Sequence, residues 1–288
     1  MAVRVGRRVR VPVTVVEPGR VRRRRDAVVA EEPMEIRVQA GGETRTVAVT
    51  MRTPGADFEL AAGFLYAEGL LDRRGDVRAI TYCLDRDVDP EQRYNIVNVA
   101  LDLSALPDLS PLERHFYTTS ACGVCGKASL EALEMRNCPL LPPGPTVSPQ
   151  VIRALPGRMQ AAQELFGETG GLHAAALFDT RGQLLCLRED VGRHNAVDKL
   201  VGWALLNGRL PLHGHILLVS GRSSFEILQK AVVAGIPIVC AISAPSHLAV
   251  EVARRFRGTL IGFLRDERFN VYAGDQRLSM PPGDGRSS

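Results

Sequence analysis

Hydrophobic and polar residues alternate regularly in the first third of the chain. The alternation runs from Met34 to Val38 and again from Thr46 to Val49, on either side of Gly41-Gly42, which predicts a β-hairpin at residues 34–51. The segment from Asp57 to Glu68 instead places apolar residues at the three- and four-residue spacing of a helix. With further strands expected at residues 77–83 and 94–103, this stretch predicts a small α+β part.

The second half of the chain shows a different pattern, in which short continuous apolar runs alternate with helical segments. A hairpin is predicted at residues 173–187, where two apolar runs flank Asp179-Thr180-Arg181-Gly182. A helix at 194–206 is followed by a strand at 215–220, a helix at 224–234, a strand at 236–242, a helix at 246–256 and a strand at 259–264. Strand–helix units at this spacing predict an α/β fold with a parallel or mixed sheet covered by helices.

We therefore expect two folded parts between two unstructured ends. The first folded part spans residues 31–145 and ends in a cysteine-containing loop and a helix at 127–136. The second part, residues 146–280, follows a proline-rich linker. Residues 1–30 are expected to be a basic, disordered arm, and residues 281–288 a disordered tail.

Positive charge is concentrated at the start of the chain. Residues 1–25 contain nine arginines and one acid, Glu17, whereas the whole chain has a net charge of only +4. The rest of the chain is therefore acidic, and the arm has no aromatic residue, so nucleic-acid binding is not expected. A docking arm for an acidic partner protein is the functional alternative to a solvated tail.

The sequence shows neither an export signal nor a membrane span. Arg7-Arg8 is not followed by a clean apolar region, which an export signal requires. The longest apolar stretch, from Ala231 to Ala244, is interrupted by Gly235 and Pro237, so no membrane helix is expected. Six cysteines in 288 residues are too few for a disulfide scaffold. A cytoplasmic location is therefore predicted.

Two of the cysteines form the motif Cys122-Gly123-Val124-Cys125, between a polar run and the helix expected at 127–136. The helix N-terminus and Lys127 both favour the thiolate, which is the nucleophilic form of cysteine. Glycine in the loop allows it to bend and expose the sulfur atoms. The motif therefore favours redox or sulfur-transfer chemistry at Cys122 and Cys125.

Three other interpretations compete. A structural zinc site needs about four ligands, but the other cysteines, Cys83, Cys138, Cys186 and Cys240, stand alone and look like small buried residues. A zinc deaminase needs a glutamate two residues after a histidine, which this sequence lacks. A thioredoxin-like enzyme carries its motif after an early strand of a smaller domain. From spacing alone, zinc binding and the absence of any role remain open.

Three polar loops follow predicted strands of the second part. They are Glu189–Asn195, Ser220–Ser224 and Phe263–Arg268. The first two precede helices, so their polar groups can either line a pocket for an anion or merely cap the helix. The arginines of the third loop are, on their own, typical of solvated surface. Because ligands usually bind at the strand ends of an α/β sheet, the three loops together predict a binding site.

Five segments carry a resemblance to a known family. They are Glu31–Ile36, Met51–Gly55, Ser120–Gly126, Glu189–Lys199 and Ser220–Glu226. In this order they resemble the formate dehydrogenase accessory sulfurtransferases of the FdhD family. The resemblance extends from about Glu31 to Tyr272 and leaves residues 1–25 outside it.

The resemblance implies a cytidine-deaminase-like α/β fold, with a mixed sheet covered by helices and a smaller N-terminal α+β part, in a homodimer. It implies a sulfurtransferase that accepts sulfur from a cysteine desulfurase as a cysteine persulfide. The sulfur then passes to the molybdenum bis(molybdopterin guanine dinucleotide) cofactor, the bound substrate, before that cofactor enters the catalytic subunit of formate dehydrogenase. The alternative is a cofactor-binding chaperone whose CxxC motif binds zinc or forms a disulfide, without sulfur transfer.

Residue roles follow from the same resemblance. The persulfide falls on Cys122, with Cys125 as its partner, and no metal ligands are implied. The cofactor-binding stretch falls on Phe263, Leu264, Arg265, Asp266, Glu267 and Arg268. Residues of the other two loops are added to this site, namely Arg193, His194, Gly221, Arg222 and Ser223.

Overall fold

A computed structural model describes residues 6–85, 87–90, 92–109 and 138–279. This part of the chain contains twelve strands and six α-helices. In chain order they are β1 (Arg8–Glu17), β2 (Arg20–Val29), β3 (Glu32–Ala40), β4 (Glu43–Arg52), α1 (Asp57–Ala67), β5 (Val77–Tyr82), β6 (Ile96–Leu101), α2 (Pro149–Ala162), α3 (Glu164–Thr169), β7 (His173–Phe178), β8 (Leu184–Asp190), α4 (Arg193–Leu206), β9 (Ile216–Val219), α5 (Phe225–Val233), β10 (Ile238–Ala241), α6 (His247–Arg255), β11 (Thr259–Gly262) and β12 (Asn270–Ala273). None of these described helices is long and apolar enough to cross a membrane.

A six-stranded sheet forms the centre of the second part, in the order β12-β11-β10-β9-β7-β8. Strands β9, β10 and β11 are parallel, while β7 and β12 pair with this group in antiparallel fashion on its two sides. Each of the three parallel strands is four residues long and buried throughout, so continuous apolar runs mark them in the sequence. The expected mixed α/β sheet is therefore confirmed.

Helices cover both faces of this sheet. Leu200 of α4 and Ile227 of α5 belong to one buried cluster with Leu217 of β9. On the opposite face, Ile152 of α2 belongs to another cluster with Leu218. Leu217 and Leu218 enter different clusters because successive side chains of a strand point to opposite faces.

The four-stranded sheet, in the order β4-β3-β6-β5, forms the first part. The predicted hairpin is β3–β4, and both glycines of its turn, Gly41 and Gly42, have positive φ. Helix α1 covers this sheet with Leu60 and Leu65, which are buried in one cluster with Ile36 of β3. The expected smaller α+β part is therefore present.

Helix α1 is enclosed between this sheet and α4. A Cβ atom at Gly63 of α1 would lie 1.9 Å from the carbonyl oxygen of Asp198, and one at Gly202 of α4 would lie 1.8 Å from that of Glu59. Only glycine permits such an approach, because it has no Cβ atom. The first and second parts therefore meet where two helix backbones touch.

The expectation of a disordered arm at residues 1–30 is wrong for the residues that the structure describes. Strands β1 and β2 form an antiparallel hairpin, and Gly19 has a φ of 74° at its turn. Valine occupies alternate positions of β1, and Val13 and Val15 lie opposite Arg24 and Arg22 of β2. The aliphatic stems of arginine can cover apolar surface while the guanidinium stays in water. The arginine-rich segment is thus an ordered hairpin in which valine and arginine side chains share a face.

The base of this hairpin contacts the rest of the molecule. Arg8 forms an ion pair with Glu168 of α3, and Val29 lies against Gly171, where an added Cβ atom would be 3.3 Å from Val29 Cγ1. Near its turn, Val16 and Val21 are largely exposed. The hairpin is therefore attached at one end and projects at the other.

The remaining differences from the predicted elements lie near the two ends of the second part. Residues 138–148 form no helix or extended strand, as predicted, but Arg277 donates hydrogen bonds to the carbonyls of Pro142 and Gly144 and so holds the segment in place. Helices α2 and α3 and strand β12 are additional; in α2, Ser148 caps the helix and Pro149 begins it. The division near residue 145 stays a prediction, and the helix expected at 127–136 and the tail at 281–288 lie outside the described residues.

Candidate functional site

The loops that follow β8, β9, β10 and β11 lie at one end of the six-stranded sheet. These four strands run in one direction, because β7 is antiparallel to both β8 and β9. Neighbouring loops are hydrogen-bonded: the Ser246 N–H donates to the Ser223 carbonyl at 2.8 Å, and the Phe263 N–H donates to the Ser243 carbonyl at 3.1 Å. The three loops selected from the sequence are therefore grouped at this end, and the loop after β10 joins them.

Asp190 fixes the first of these loops. Its buried carboxylate accepts hydrogen bonds from the N–H groups of Gly192 at 2.8 Å and Thr53 at 3.1 Å, and from Asn195 Nδ2 at 3.0 Å. It also forms an ion pair with Lys199 Nζ at 2.6 Å. A carboxylate with four partners is a structural anchor, and through Thr53 it connects the loop to the first part of the chain.

His194 lies at the start of α4, between two polar groups of the next loop and helix. Its Nε2 atom is 3.2 Å from Ser224 Oγ, and its Nδ1 atom is 3.0 Å from the carboxylate of Glu226. The hydrogen bond from His194 lowers the pKa of Glu226 to about 2. Ser224 is the N-cap residue of α5, yet its side chain caps no N–H of that helix. A serine at this position normally accepts a hydrogen bond from an N–H of the helix, but the Ser224 hydroxyl contacts His194 instead.

Gly221 and Ser223 bring further polar groups to this place. A Cβ atom at Gly221 would lie 3.3 Å from His173 Nδ1 and 3.6 Å from Arg193 Cδ, so glycine allows both side chains to approach. Ser223 is completely buried, and neither its Oγ atom nor the Nε atom of Arg193 has a hydrogen-bond partner in the described ranges. Buried polar atoms are usually hydrogen-bonded, so these two are exceptions among the described residues, as are Asn98 Oδ1 and His215 Nδ1.

His173 lies close to Arg193 and His194. Burial, together with the nearby charges of Arg193 and His194, lowers the pKa of His173. The imidazole therefore favours its neutral form beside Arg193.

The loop after β11 presents an exposed aromatic ring. Phe263 has a φ of 50°, a left-handed conformation that is strained for a residue with a side chain, and it is 41% exposed. The next residue, Leu264, is buried in the core, whereas Arg265 Nη1 donates to the Ile242 carbonyl at 2.8 Å. The Arg265 N–H closes the turn on the Arg268 carbonyl at 2.9 Å. Exposed side chains from the predicted set are Phe263, Arg265, Asp266, Glu267, Arg268 and Arg222.

The cysteine motif, Cys122 and Cys125, lies outside the described residues. The four other cysteines form no disulfide, and Cys83, Cys186 and Cys240 are buried. Burial raises the pKa of Cys186 to about 12 and raises that of Cys240 as well. The prediction of small buried residues is therefore confirmed for Cys83, Cys186 and Cys240, whereas Cys138 is only partly buried. Within the described ranges, no group of three or more histidine, cysteine or acidic side chains is arranged to hold a metal.

Sequence reasoning did not assign three residues that complete this end of the sheet: Thr53, Ser224 and Glu226. Each of them touches a predicted site residue or its anchor, but at a long distance along the chain. All three lie in segments that carry the family resemblance, Met51–Gly55 and Ser220–Glu226. Their position in these segments was the feature of the sequence that could have identified them.

Comparison with known sequences places these observations in context. The sequence matches the FdhD/NarQ family over residues 29–279. It is 52% identical over 268 residues to the sulfur carrier protein FdhD of Streptomyces avermitilis, covering 92% of this chain and 93% of the relative. It is 48% identical over 261 residues to the protein of the same name from Mycobacterium tuberculosis, covering 89% of this chain and 93% of the relative.

A solved structure shows the same fold. The chain is similar to a protein described as a formate dehydrogenase accessory protein from Desulfotalea psychrophila, with a TM-score of 0.70 and 24% identity. The match covers 94% of this chain and 99% of the other. The α/β fold expected from the sequence is therefore shared with a protein of known structure.

Proposed function

The chain belongs to the FdhD/NarQ family, and on this basis we propose that it is a sulfur carrier that serves formate dehydrogenase. It accepts sulfur from a cysteine desulfurase as a persulfide on Cys122. It passes this sulfur to molybdenum bis(molybdopterin guanine dinucleotide), its bound substrate, before that cofactor enters the catalytic subunit of formate dehydrogenase. We further propose that it acts as a homodimer in the cytoplasm.

One observation supports the cofactor-binding half of the proposal, namely the grouping of the predicted loops at one end of the sheet. The cofactor carries two guanines and two pyrophosphate groups, so its site requires cations beside flat apolar surface. Arg222, Arg265 and Arg268 expose positive charge at this end. Phe263 offers an exposed ring, and stacking of a nucleic-acid base on an aromatic side chain contributes about 1–3 kcal/mol.

The turn after Phe263 also suits the edge of a guanine. Asp266 and Glu267 are exposed beside the aromatic ring. Ionised carboxylates only accept hydrogen bonds, and the Watson–Crick edge of guanine presents N–H donors. We assign these two residues to guanine recognition and Leu264, which is buried, to support of the turn.

Sulfur is accepted by thiol–disulfide exchange chemistry. The Cys122 thiolate attacks the outer sulfur of the desulfurase persulfide. A new S–S bond forms at Cys122 while the S–S bond of the donor breaks, and the donor cysteine leaves as a thiolate. The low reactivity of buried thiols such as Cys186 and Cys240 supports the assignment of this step to the motif.

Release uses the second cysteine of the motif. The Cys125 thiolate attacks Sγ of Cys122 and displaces the outer sulfur as hydrosulfide, which is delivered to the cofactor. The two cysteines are left as a disulfide, which a thiol reductant must reduce before the next cycle.

Mass spectrometry of the full chain after incubation with a desulfurase and cysteine tests the proposal. We expect the protein to gain one sulfur atom, and Cys122→Ala to abolish this gain. Cys125→Ala should keep the persulfide but transfer it poorly, whereas Cys138→Ala, at a half-buried cysteine elsewhere, should behave like the unchanged protein. A sulfur adduct that persists when both Cys122 and Cys125 are replaced refutes the proposal.

The chaperone alternative predicts a different result. If the motif only binds zinc, purified protein should contain stoichiometric metal that is lost in Cys122→Ala. If it only forms a structural disulfide, the free-thiol content should be unchanged by the desulfurase. Formate dehydrogenase that is assembled without its sulfido ligand, in cells lacking this protein, favours sulfur transfer over both alternatives.

A further inference from the structure

The β1–β2 hairpin has two faces that differ in their charges. The family match begins at residue 29, so nearly all of this hairpin precedes it. Opposite residues of an antiparallel pair share a face, and successive residues of a strand alternate between faces, so the register divides the arginines into two sets. One face, which we call the paired face, carries Arg20, Arg22 and Arg24. The other, which we call the cationic face, carries Arg8, Arg10, Arg23 and Arg25.

The paired face balances most of its own charge. Arg22 lies 3.2 Å from the carboxylate of Glu17, and Arg24 lies 3.3 Å from that of Asp26. The valines of β1 opposite these two arginines are partly buried, and the aliphatic stems of arginine can cover them. The side chains of this face therefore contact one another, and they leave little charge for a partner.

The cationic face carries no acidic residue, because both acids of the hairpin lie on the paired face. At the base of the hairpin, Arg8 pairs with Glu168 of α3. Arg10, Arg23 and Arg25 are exposed and form no ion pair among the residues that the structure describes. Arg25 Nη2 donates instead to the Arg10 carbonyl at 3.3 Å. Three positive charges on one face are therefore available to the carboxylates of another protein.

The hairpin also lacks a covering layer away from its base. Each of its strands is ten residues long, and the two form a sheet of their own, with no third strand in the described ranges. Isolated two-stranded hairpins are only marginally stable in water. Near the turn, Val16 and Val21 lie opposite each other on the cationic face and are 74% and 67% exposed. Since arginine is enriched in protein interfaces, these valines beside unpaired arginines suit a surface that a partner covers.

The hairpin leaves the molecule at the end of the six-stranded sheet where the polar loops are grouped. Val29, the last residue of β2, lies against Gly171. Gly171 comes shortly before β7, whose first residue, His173, pairs with Asp190 at the end of β8. A protein bound to the hairpin is therefore held at the same end of the sheet as the loops after β8 and β9.

We propose that the cationic face, through Arg10, Arg23 and Arg25, binds a carboxylate-rich surface of the protein that receives the cofactor. The inference rests on the proposed function, in which that protein is the catalytic subunit of formate dehydrogenase. The recipient fits better than the sulfur donor, because the hairpin lies at the end of the sheet that carries the proposed cofactor loops. A second hairpin does not fit, since two cationic faces repel each other. Nucleic acid fits poorly, because the hairpin has no aromatic residue.

Surface plasmon resonance with the full chain and the cofactor-free catalytic subunit tests this inference. We expect the affinity to fall as the salt concentration rises from about 50 mM to about 300 mM, because exposed charges are screened. The triple variant Arg10→Gln, Arg23→Gln and Arg25→Gln should bind about tenfold more weakly, mainly through slower association. Since the guanidinium group stays charged, affinity should change little between about pH 6 and pH 8.

The paired face provides the matched control. The triple variant Arg20→Gln, Arg22→Gln and Arg24→Gln removes the same charge from the same hairpin, but should weaken binding less than about threefold. Replacing the three arginines of the cationic face by lysine keeps the charge, so this variant should bind within about threefold of the unchanged protein. Amide hydrogen exchange of β1 and β2 should be the same in all variants, which shows that the hairpin stays folded.

Equal losses in the two glutamine variants would show that only the total charge matters, and would overturn the inference. Unchanged binding of the catalytic subunit by the cationic-face variant would do the same. That holds even if the variant loses affinity for the desulfurase, for anionic phospholipid vesicles or for DNA, because the partner is then of another class.

The readouts also separate this inference from the proposed function. Persulfide formation on Cys122 requires no arginine of the hairpin, so it should persist in both glutamine variants whether or not binding fails. Face-specific binding of the catalytic subunit by a protein that never acquires a persulfide supports the inference while the proposed sulfur transfer fails.

Discussion

Phe263 keeps a left-handed backbone conformation that glycine would adopt without strain. Its ring is 41% exposed, and it belongs to none of the three core clusters of the described residues, so the core gains little from it. Strain of this kind is retained where the side chain has a function. The proposed stacking of guanine on this ring supplies such a function.

Phe263→Gly should therefore separate stability from activity. We expect its free energy of unfolding to be the same as that of the unchanged protein or up to about 1 kcal/mol higher, because the strain is relieved. Formate dehydrogenase activity in cells carrying the variant should fall about tenfold or more, since the stacking surface is lost. Phe263→Ala is the control, because it removes the ring but keeps the strain. A glycine variant less stable than the alanine variant in urea denaturation would contradict this account.

The hydrogen-bonded pair of His194 and Glu226 should make the stability of the protein depend on pH in the acid range. The pKa of Glu226 is lowered to about 2 by the hydrogen bond from His194, so the folded state binds this proton less tightly than the unfolded state does. The contribution is complete above the ordinary glutamate pKa of about 4.3 and is lost as the pH falls toward 2. Urea denaturation at about pH 5 and about pH 3 should show a smaller acid-induced loss of stability in His194→Gln than in the unchanged protein. An equal loss in both proteins would mean that the pair does not form in solution.

At the scale of elements, the crossing of α1 and α4 is the most restrictive contact. A methyl group at Gly63 would overlap the Asp198 carbonyl oxygen at 1.9 Å, and helix backbones cannot move aside as a flexible side chain can. Gly63→Ala should lower the free energy of unfolding by about 3 kcal/mol or more. Gly157→Ala is the matched control, because Gly157 lies within α2 with no atom within 4 Å of its added methyl group. That change should be neutral or stabilise by about 0.5–1 kcal/mol, and equal losses in chemical denaturation would contradict the packing argument.

The elements predicted well and poorly differ for physical reasons. Strands β9, β10 and β11 could be predicted because they are buried on both faces and read as continuous apolar runs. Hairpin β1–β2 was missed because its arginine content is typical of a solvated tail, although valine alternates along β1. Helix α2 was missed because Pro149 and Pro156 suggest a loop, whereas the first stands at its N-terminus, where proline is favoured.

At the scale of the molecule, the grouping of the three polar loops could be predicted but the contacts among them could not. Loops at the carboxyl ends of neighbouring parallel strands lie at one end of a sheet, so three polar loops after predicted strands were enough to indicate that they lie together. The contact of His194 with Glu226 depends on how α4 and α5 lie on the sheet, and the anchor between Thr53 and Asp190 depends on how the two parts meet. No local pattern encodes these arrangements, because both arise from tertiary packing.

The contacts between the two parts predict that they unfold together. Besides the glycine crossing, Lys199 Nζ donates to the Thr53 carbonyl at 2.8 Å and Asn195 Nδ2 donates to the Met51 carbonyl at 2.7 Å, so both parts share buried polar groups. Separation would leave these groups unpaired, which costs about 1–3 kcal/mol for each. We therefore expect one calorimetric transition whose van't Hoff and calorimetric enthalpies agree.

Hydrogen exchange can test this coupling strand by strand. The slowest amides of β3 and β6 in the small sheet should exchange with the same free energy of opening as those of β9 and β10, because a common global unfolding exposes them all. In Gly63→Ala, both sets should lose protection by the same amount, since the altered crossing belongs to both parts. Protection lost only in the small sheet would show that the first part opens alone. The proposed cofactor site would then be built on the second part, with Thr53 contributing only while the two remain in contact.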